Sequence, residues 1–242
     1  MDILTPDWPA PANVRAACST RDGGVSSGNY TSLNLGDHVG DDALSVGRNR
    51  ALFERAIGAR PLYLKQVHGT ACAAIDGNTE DAAEADGCRT SVRGIACTIM
   101  VADCLPVLFT TQDGSCVGAA HAGWRGLSAG VIESTLNAMQ VDASLVIAWL
   151  GPCIGPEAFE VGDDVKSAFA SAAAAHFKPY REGKWLADLA ALTRMRLQAA
   201  GVTRIHGNDG SRAWCTVANP SRFFSHRRDR VSGRFAAAVW RV

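Results

Sequence analysis

Three short segments of the sequence each place a histidine or a cysteine within two residues of a glycine or a proline. They are residues 65–69, 102–106 and 120–126, which contain His68, Cys104 and His121. Two imidazoles and a thiolate are good ligands for zinc, and three protein ligands with one open position are typical of a catalytic zinc site. Such a metal would ionise the thiol and acidify a bound water. These residue types would suit a metal-assisted active site, with zinc as the expected ion.

The spacing of these three residues is less specific than their chemistry. The intervals between them match no compact metal-binding motif. Two hydrogen-bonded histidines and a packed cysteine would leave the same pattern, since free cysteine often packs as a small apolar residue. From the residues alone, the structural and the catalytic interpretations both stay open.

Alternating apolar runs and glycine-rich breaks predict the elements that must position these side chains. Segment 20–42 is rich in Gly, Ser, Asn and Asp and is expected to be a long functional loop, whereas acidic segment 76–86 is expected to lie at the surface. Ser45 is predicted to cap a helix that ends near Ile57. Strands are predicted at residues 14–19, 62–67, 71–75, 95–101, 107–110, 117–121, 145–150 and 235–242, with a turn at 112–114. Further helices are predicted after residue 126 and over 163–175 and 188–200.

This order of elements predicts a mixed α/β domain, because strands and helices interleave while some strands are joined as hairpins. The composition does not shift along the chain, so residues 1–242 are expected to form a single layered catalytic domain.

Composition limits the classes of function. Lys plus Arg and Asp plus Glu both number 24, giving a formal net charge of zero, whereas nucleic-acid binders usually carry a basic excess. The first residues lack an apolar signal-peptide core and no apolar run is long enough for a membrane span. The eight scattered cysteines are then expected to be reduced thiols. We therefore expect a cytoplasmic enzyme with a small-molecule substrate and no nucleic-acid or membrane partner; its oligomeric state is not predicted.

From about Thr20 to Arg234 the chain resembles the YfiH family, also called the laccase-domain or polyphenol oxidase family. The segments that carry the resemblance occur in the family's order: TRDGGVSSGNYTSLNLGDHVGDD, VGRNR, KQVHG, ADG, ADCLP, AAHAGWRG, GPCIG and SHRRDRVSGR. The resemblance implies a one-domain α/β fold of layered sheets, similar to the catalytic domain of cytotoxic necrotizing factor toxins. It also implies that His68, Cys104 and His121 are the metal and catalytic set.

Five further residues in or near these segments are candidates for substrate contacts. Asp103 could orient a ligand or act as a base, and Arg125 could hold an anionic oxygen. Asn34 and Arg50 could contact a sugar or phosphate, and Gln66 could bind the edge of a base. A surface position for Asp103, a surface ion pair for Arg125, and capping or helix support for the other three are the alternatives.

The resemblance implies a purine nucleoside enzyme that cleaves adenosine, inosine and methylthioadenosine with phosphate and deaminates adenosine. A copper polyphenol oxidase is the second interpretation, although a multicopper centre needs many histidines and this chain has six. A cysteine hydrolase or amidase acting on cell-wall precursors is the third, with Cys104 as nucleophile and His121 as base. A non-enzymatic metal-binding protein is the fourth.

Overall fold

The computed structural model describes the backbone of residues 1–169 and 171–242, and their side chains except those at 171 and 172. The strands in this part of the chain are β1 (Ile3–Leu4), β2 (Val14–Ser19), β3 (Arg60–Tyr63), β4 (Cys72–Ala74), β5 (Gly87–Thr90), β6 (Ile95–Val101), β7 (Leu105–Thr111), β8 (Val117–Ala122), β9 (Val146–Leu150), β10 (Glu160–Gly162), β11 (Phe177–Arg181), β12 (Lys184–Ala187), β13 (Arg204–Gly207) and β14 (Phe235–Arg241). The α-helices there are α1 (Ala43–Ile57), α2 (Trp124–Ala129), α3 (Val131–Met139), α4 (Asp163–Ser167), α5 (Leu189–Ala199) and α6 (His226–Asp229).

The strands form two large mixed sheets and one small antiparallel sheet. The five-stranded sheet has the order β1-β2-β14-β6-β3, and the six-stranded sheet has the order β13-β9-β7-β8-β5-β4. The small sheet has the order β10-β12-β11. The mixed α/β class expected from the sequence is therefore confirmed.

The two large sheets pack face to face, and helices cover their outer faces. Strand β14 shows this arrangement, because successive side chains of a strand point to opposite faces of the sheet. Phe235, Ala237 and Val239 face the core shared with the six-stranded sheet. Their neighbours Ala236 and Ala238 face the core beneath α1. On the outer face of the six-stranded sheet, a third core packs against α3 and α5.

The chain passes from one large sheet to the other within three residues. Strand β6 ends at Val101 in the five-stranded sheet, and β7 begins at Leu105 in the six-stranded sheet. Asp103, in the middle of this connection, has a positive φ of 92°, which is uncommon for a residue other than glycine. This crossing delivers Cys104 to the open end of the sandwich.

Several predicted elements agree with the structure. Strands β7 and β8 form an antiparallel pair around the predicted turn. Asp188 caps α5 by accepting a hydrogen bond from Ala191 N, and Gly201 follows the helix in a left-handed conformation with φ 97°. The helix expected after residue 126 is two helices, α2 and α3, which are divided at Gly130 with φ 106°.

Two predicted element boundaries were wrong for local reasons. Asp42, not Ser45, caps α1, because its carboxylate accepts a hydrogen bond from Ser45 N at 2.8 Å. The strand expected over 62–67 ends at Tyr63. Beyond it the side-chain amide of Gln66 donates to Met100 O and accepts from Met100 N, both at 2.8 Å. The Gln66 side chain thus makes the hydrogen bonds to β6 that the main chain no longer makes beyond Tyr63.

The predicted helix over 163–175 was also wrong. Helix α4 ends at Ser167, and a 3-10 helix covers Ser171–His176; residue 170 lies outside the described residues. Phe169 and Phe177 are both buried, with ring centroids 5.7 Å apart. Bringing these two rings together requires the chain to turn, which overrides the helical preference of an alanine-rich segment.

Candidate active site

His68 on the loop after β3, Cys104 between β6 and β7, and His121 in β8 lie together at one end of the two packed sheets. Their ligand atoms all lie within 4.8 Å of one another, and Cys104 Sγ is 3.8 Å from His68 Nε2. His121 lies in β8, where it pairs with Pro106 of β7, and it is buried. His68 is exposed on the loop after β3 and has a φ of 61°. The cluster therefore has a buried member, a half-buried thiol and an exposed member at the mouth.

Asp86, directly before β5, orients both histidines. Its Oδ1 atom lies 2.8 Å from His121 Nδ1 and accepts a hydrogen bond from His68 N at 2.9 Å. Its Oδ2 atom accepts hydrogen bonds from Val67 N at 3.1 Å and Gly69 N at 2.7 Å. Since Nδ1 of His121 is bound to a carboxylate, Nε2 is left to face the cluster, which is the usual arrangement of a metal-ligating histidine.

The expected surface position of Asp86 was wrong, because its side chain is fully buried. Burial would raise the pKa of this carboxyl, but the hydrogen bonds from His121 and from the main-chain amides hold its pKa below the ordinary 3.8. Asp86 was missed as a site residue although it lies in the ADG segment. An acidic surrounding sequence gave no sign that this one carboxylate turns inward.

Cys104 and His121 stabilise each other's charged forms. Burial would raise the pKa of the Cys104 thiol, but the neighbouring imidazoles of His121 and His68 lower it to about 6. Burial would lower the pKa of His121, but the Cys104 thiolate and Asp86 raise it to about 9. The favoured state near neutral pH is thus a thiolate beside an imidazolium, and the thiolate is the form that binds metals or attacks electrophiles.

These donor atoms fit a metal ion of the zinc type. With ligand distances of about 2.1 Å for nitrogen and about 2.3 Å for sulfur, a tetrahedral site separates its ligand atoms by about 3.4 to 3.6 Å. The 3.8 Å between Cys104 Sγ and His68 Nε2 is close to that separation, and the ligand atoms of the whole cluster lie within 4.8 Å of one another. The three residues could therefore hold one ion with a fourth position open to the pocket.

Two glycines of segment 120–126 are required by close contacts around the cluster. A Cβ atom on Gly123 would lie 2.9 Å from Cys104 Sγ and 3.1 Å from His68 Cδ2. A Cβ atom on Gly126 would lie 2.8 Å from Gly69 O. The chain after His121 thus packs closely against the segments that carry His68 and Cys104. A side chain at either glycine would collide with them.

The cluster lies in a cavity of about 450 Å³. Aromatic and apolar side chains from several elements contribute to its lining, including Trp124 and Phe159. Three arginines, Arg125, Arg227 and Arg234, also line it. Arg125 is exposed and stacks on the Trp124 ring, with its guanidinium carbon 4.5 Å from the ring centroid. The pocket is therefore large enough for a small molecule, and three arginines are among its lining residues.

Two of the other predicted contact residues, Asp103 and Gln66, line the pocket but are bound to protein groups. Asp103 is buried rather than at the surface. Its carboxylate accepts hydrogen bonds from Thr216 Oγ1 and Arg227 N, both at 2.6 Å. The Gln66 amide is paired with Met100. Both residues thus fasten neighbouring segments to the site.

The structure does not bring Asn34 and Arg50 to the pocket lining. Asn34 is fully buried in its loop and binds main-chain groups of Gly36 and Arg234. Arg50 donates to Leu35 O, forms an ion pair with Asp37 at 3.1 Å, and stacks over a tyrosine ring. The sequence missed two pocket residues, Arg227 and Arg234, which lie in the last of the resembling segments, SHRRDRVSGR.

Comparisons with known proteins identify the family of this chain. A family described as multi-copper polyphenol oxidoreductase laccase matches residues 15–242. The chain belongs to this family. It is 47% identical over 241 residues to a Pseudomonas aeruginosa protein named purine nucleoside phosphorylase, covering 98% of this chain and 97% of that protein. It is 44% identical over 246 residues to the Escherichia coli purine nucleoside phosphorylase YfiH, covering 99% of each.

Solved structures within the family share the fold. The crystal structure of Neisseria meningitidis protein NMB0706 is similar with a TM-score of 0.93 and 46% identity, covering 100% of this chain and 99% of that one. The crystal structure of YlmD from Geobacillus stearothermophilus is similar with a TM-score of 0.86 and 30% identity, covering 96% and 93%. The resemblance seen in the sequence is thereby confirmed. Within the described residues, none of the helices is both long enough and apolar enough to span a membrane.

Proposed function

We propose that this protein is a purine nucleoside enzyme that phosphorolyses adenosine, inosine and methylthioadenosine and also deaminates adenosine. The observation that carries the proposal is the His68–Cys104–His121 cluster inside a cationic pocket. Relatives at 42% to 47% identity are named purine nucleoside phosphorylases, and this supports the choice of substrate class.

The chain's own residues prepare the site in two ways. Asp86 fixes the His121 ring so that Nε2 points to the cluster, and the paired imidazole keeps Cys104 as a thiolate. We propose zinc as the resident ion, since two imidazoles and a thiolate suit it. Zinc held by three protein ligands supplies Lewis-acid chemistry, including activation of water near neutral pH.

The two reactions differ in the nucleophile. In phosphorolysis a phosphate oxygen bonds to C1′ of the ribose while the glycosidic bond breaks and the purine departs, giving ribose 1-phosphate. In deamination water adds to C6 of adenosine and ammonia departs, giving inosine. Only the first reaction needs an anion in the pocket. Arg125 lies beside the site and would lower the energy of that anion more than that of neutral water.

Product analysis tests this function. Purified zinc-loaded protein is incubated with adenosine, inosine or methylthioadenosine, with and without phosphate, and the products are separated by chromatography. We expect inosine from adenosine without phosphate, and free purine base plus the sugar 1-phosphate when phosphate is added. Cys104→Ala should abolish both reactions, whereas Cys18→Ala and Cys116→Ala, at buried positions in the core, should retain them. No purine product from any of the three nucleosides would overturn the proposal.

A cysteine hydrolase or amidase is a second candidate, and one observation favours it. Asp86, His121 and Cys104 form a chain of carboxylate, imidazole and thiolate, which is also the arrangement of an activated cysteine nucleophile. Metal content distinguishes the two, since a tightly held ion occupies the thiolate. Stoichiometric zinc in the active protein opposes the hydrolase, while amide cleavage by metal-free protein that zinc inhibits would support it.

A copper polyphenol oxidase is the third candidate, favoured by the description of the family. One cluster of three ligands could hold a single copper ion, because such donor sets bind copper more tightly than zinc. Phenol oxidation should then appear only in copper-loaded protein and be absent from the zinc form.

A further inference from the structure

The arginines that line the pocket have unusual surroundings. Among the residues that the structure describes, Arg125, Arg227 and Arg234 have no carboxylate oxygen within 4.0 Å, whereas Arg228 is paired with Asp229 at 2.7 Å. Among the described residues that line the pocket, Asp103 is the one with a carboxylate. Its Oδ1 atom accepts a hydrogen bond from Thr216 Oγ1, and its Oδ2 atom accepts one from Arg227 N. The pocket therefore holds an excess of positive charge that the described protein groups do not neutralise.

Arg234 and Arg227 both have partly buried side chains, whereas Arg125 is exposed. Arg234 also lies close to the cluster. Its Nη1 atom donates to Ser232 O at 2.9 Å and Gly233 O at 3.1 Å. Burial lowers the pKa of this guanidinium, and the nearby Cys104 and Asp103 oppose that effect. Burying a charge without a counter-ion is costly. An anion bound in the pocket would supply the missing partner.

Hydrogen bonds from both the main chain and the side chain of Arg227 hold this residue beside the same cavity. Its main-chain amide donates to Asp103, and its Nη1 atom donates to Glu160 O at 3.0 Å and Ala158 O at 3.4 Å. These bonds limit the positions the guanidinium can take while using only one of its terminal nitrogens. A planar guanidinium held in this way suits the oxygens of a phosphate group.

The long loop of residues 20–42 holds Arg234 in position. Asn34 Oδ1 accepts a hydrogen bond from Arg234 N at 2.8 Å, and Leu35 N donates to Arg234 O at 2.9 Å. A Cβ atom on Gly36 would lie 2.8 Å from Arg234 Cγ, so the arginine side chain needs a glycine there. These contacts give the loop a function: it fixes the backbone and the stem of a pocket cation.

We propose that Arg227 and Arg234 form a phosphate-binding subsite of this pocket, and that residues 34–36 position Arg234. The subsite itself is argued from the unpaired charges; its use by inorganic phosphate rests on the proposed phosphorolysis. A phosphate group carried by a nucleotide has the same chemistry and is the other source. Arg50, a candidate from the sequence for contact with a sugar or phosphate, instead binds Leu35 O and Asp37 of the loop.

Calorimetric binding tests the subsite without turnover. Zinc-loaded wild-type protein, Arg234→Gln, Arg227→Gln and Gly36→Ala are each titrated with inorganic phosphate and, separately, with inosine 5′-monophosphate. We expect each arginine variant to weaken phosphate binding roughly 10- to 100-fold, as for loss of a charge-assisted contact. Gly36→Ala should weaken it in the same direction. Arg48→Gln, at an exposed position of α1, is the matched control and should change nothing.

The outcomes separate the subsite from the proposed reaction. Weakened binding of inorganic phosphate in both arginine variants, with unchanged zinc content, supports the subsite even if no phosphorolysis is found. Weakened binding of the monophosphate alone also supports it and assigns it to a nucleotide. Arg234→Lys keeps the charge in case the Gln variant does not fold, and should bind phosphate with intermediate affinity. Phosphate and monophosphate affinities within twofold of wild type in the folded variants would overturn the proposal, even for an active phosphorylase.

Discussion

Replacing Asp86 with asparagine should separate the shape of the site from its charge. The carboxylate receives four hydrogen-bond donors, two at each oxygen: His121 Nδ1 and His68 N at Oδ1, and Val67 N and Gly69 N at Oδ2. An asparagine offers one oxygen, and its NH2 group would face two of these donors whichever way the amide is placed. Asp86→Asn is nearly isosteric, so the change is in hydrogen bonding and charge rather than in volume.

The magnitude follows from the lost bonds. Hydrogen bonds to a charged group contribute about 1.5 to 3 kcal/mol each, so losing two costs about 3 to 6 kcal/mol before the loop relaxes. His121 has a way to relax: its Nδ1 can accept from the asparagine NH2 group if the proton moves to Nε2. That tautomer has no free lone pair for a metal. Removing such a supporting carboxylate typically weakens metal binding by roughly 10- to 100-fold.

Zinc affinity, measured by competition with a chromophoric chelator, and thermal unfolding check this expectation. The difference in stability between wild type and Asp86→Asn should shrink as the pH falls below the ordinary carboxyl value of 3.8. A carboxyl with a lowered folded pKa contributes stability above that value and loses it in acid. Glu80→Gln, an exposed change in the same acidic segment, is the control. Zinc affinity within twofold of wild type in folded Asp86→Asn would refute the orienting role of Asp86.

Three further predictions concern the cluster. In metal-free protein, the rate of alkylation of Cys104 by iodoacetamide should rise with pH around a midpoint near 6, because the thiolate is the reactive form. Mass spectrometry of the labelled peptide measures this rate, and His121→Gln should move the midpoint to higher pH. Gly123→Ala should cost about 1 to 3 kcal/mol in unfolding experiments through overpacking against the thiol, whereas Gly47→Ala, with open space around it, should not destabilise. His68→Ala should lower zinc content sharply by elemental analysis while leaving the unfolding temperature of the metal-free protein nearly unchanged, since the side chain is exposed.

Periodicity predicted the parts of the fold in which burial repeats regularly. Strands β6, β7 and β8 are buried along their full length and appear in the sequence as apolar runs bounded by turn residues. Helix α5 was predicted for a similar local reason, since Asp188 and Gly201 mark its two ends. The small sheet of β10, β11 and β12 was not predicted. Strand β11 is mostly exposed, so its sequence carries no strong apolar alternation.

The site was only partly predictable because its supporting residues come from distant segments. The residue types of His68, Cys104 and His121 suggested metal chemistry, and the family resemblance favoured this interpretation over a purely structural one. Nothing local distinguishes Asp86 from its acidic neighbours, since its burial depends on amides that lie 17 to 19 residues away along the chain. The bond between Asn34 and Arg234 spans 200 residues. Such partners are defined by the packing of the two sheets rather than by any sequence window.

Backbone strain at the cluster indicates how the site is held. His68 and Asp103 both have positive φ values, 61° and 92°, conformations that cost roughly 1 to 3 kcal/mol each for residues other than glycine. Each is secured by bonds that do not involve a metal: the His68 amide by Asp86, and the Asp103 carboxylate by Thr216 and Arg227. Protein contacts therefore offset the strain at both positions and hold the backbone on either side of the cluster. A site arranged in this way should bind zinc without a large change in fold, and its thiolate would be equally ready to react when the ion is absent. Metal occupancy, more than geometry, is then what decides between a zinc-dependent nucleoside enzyme and a cysteine hydrolase.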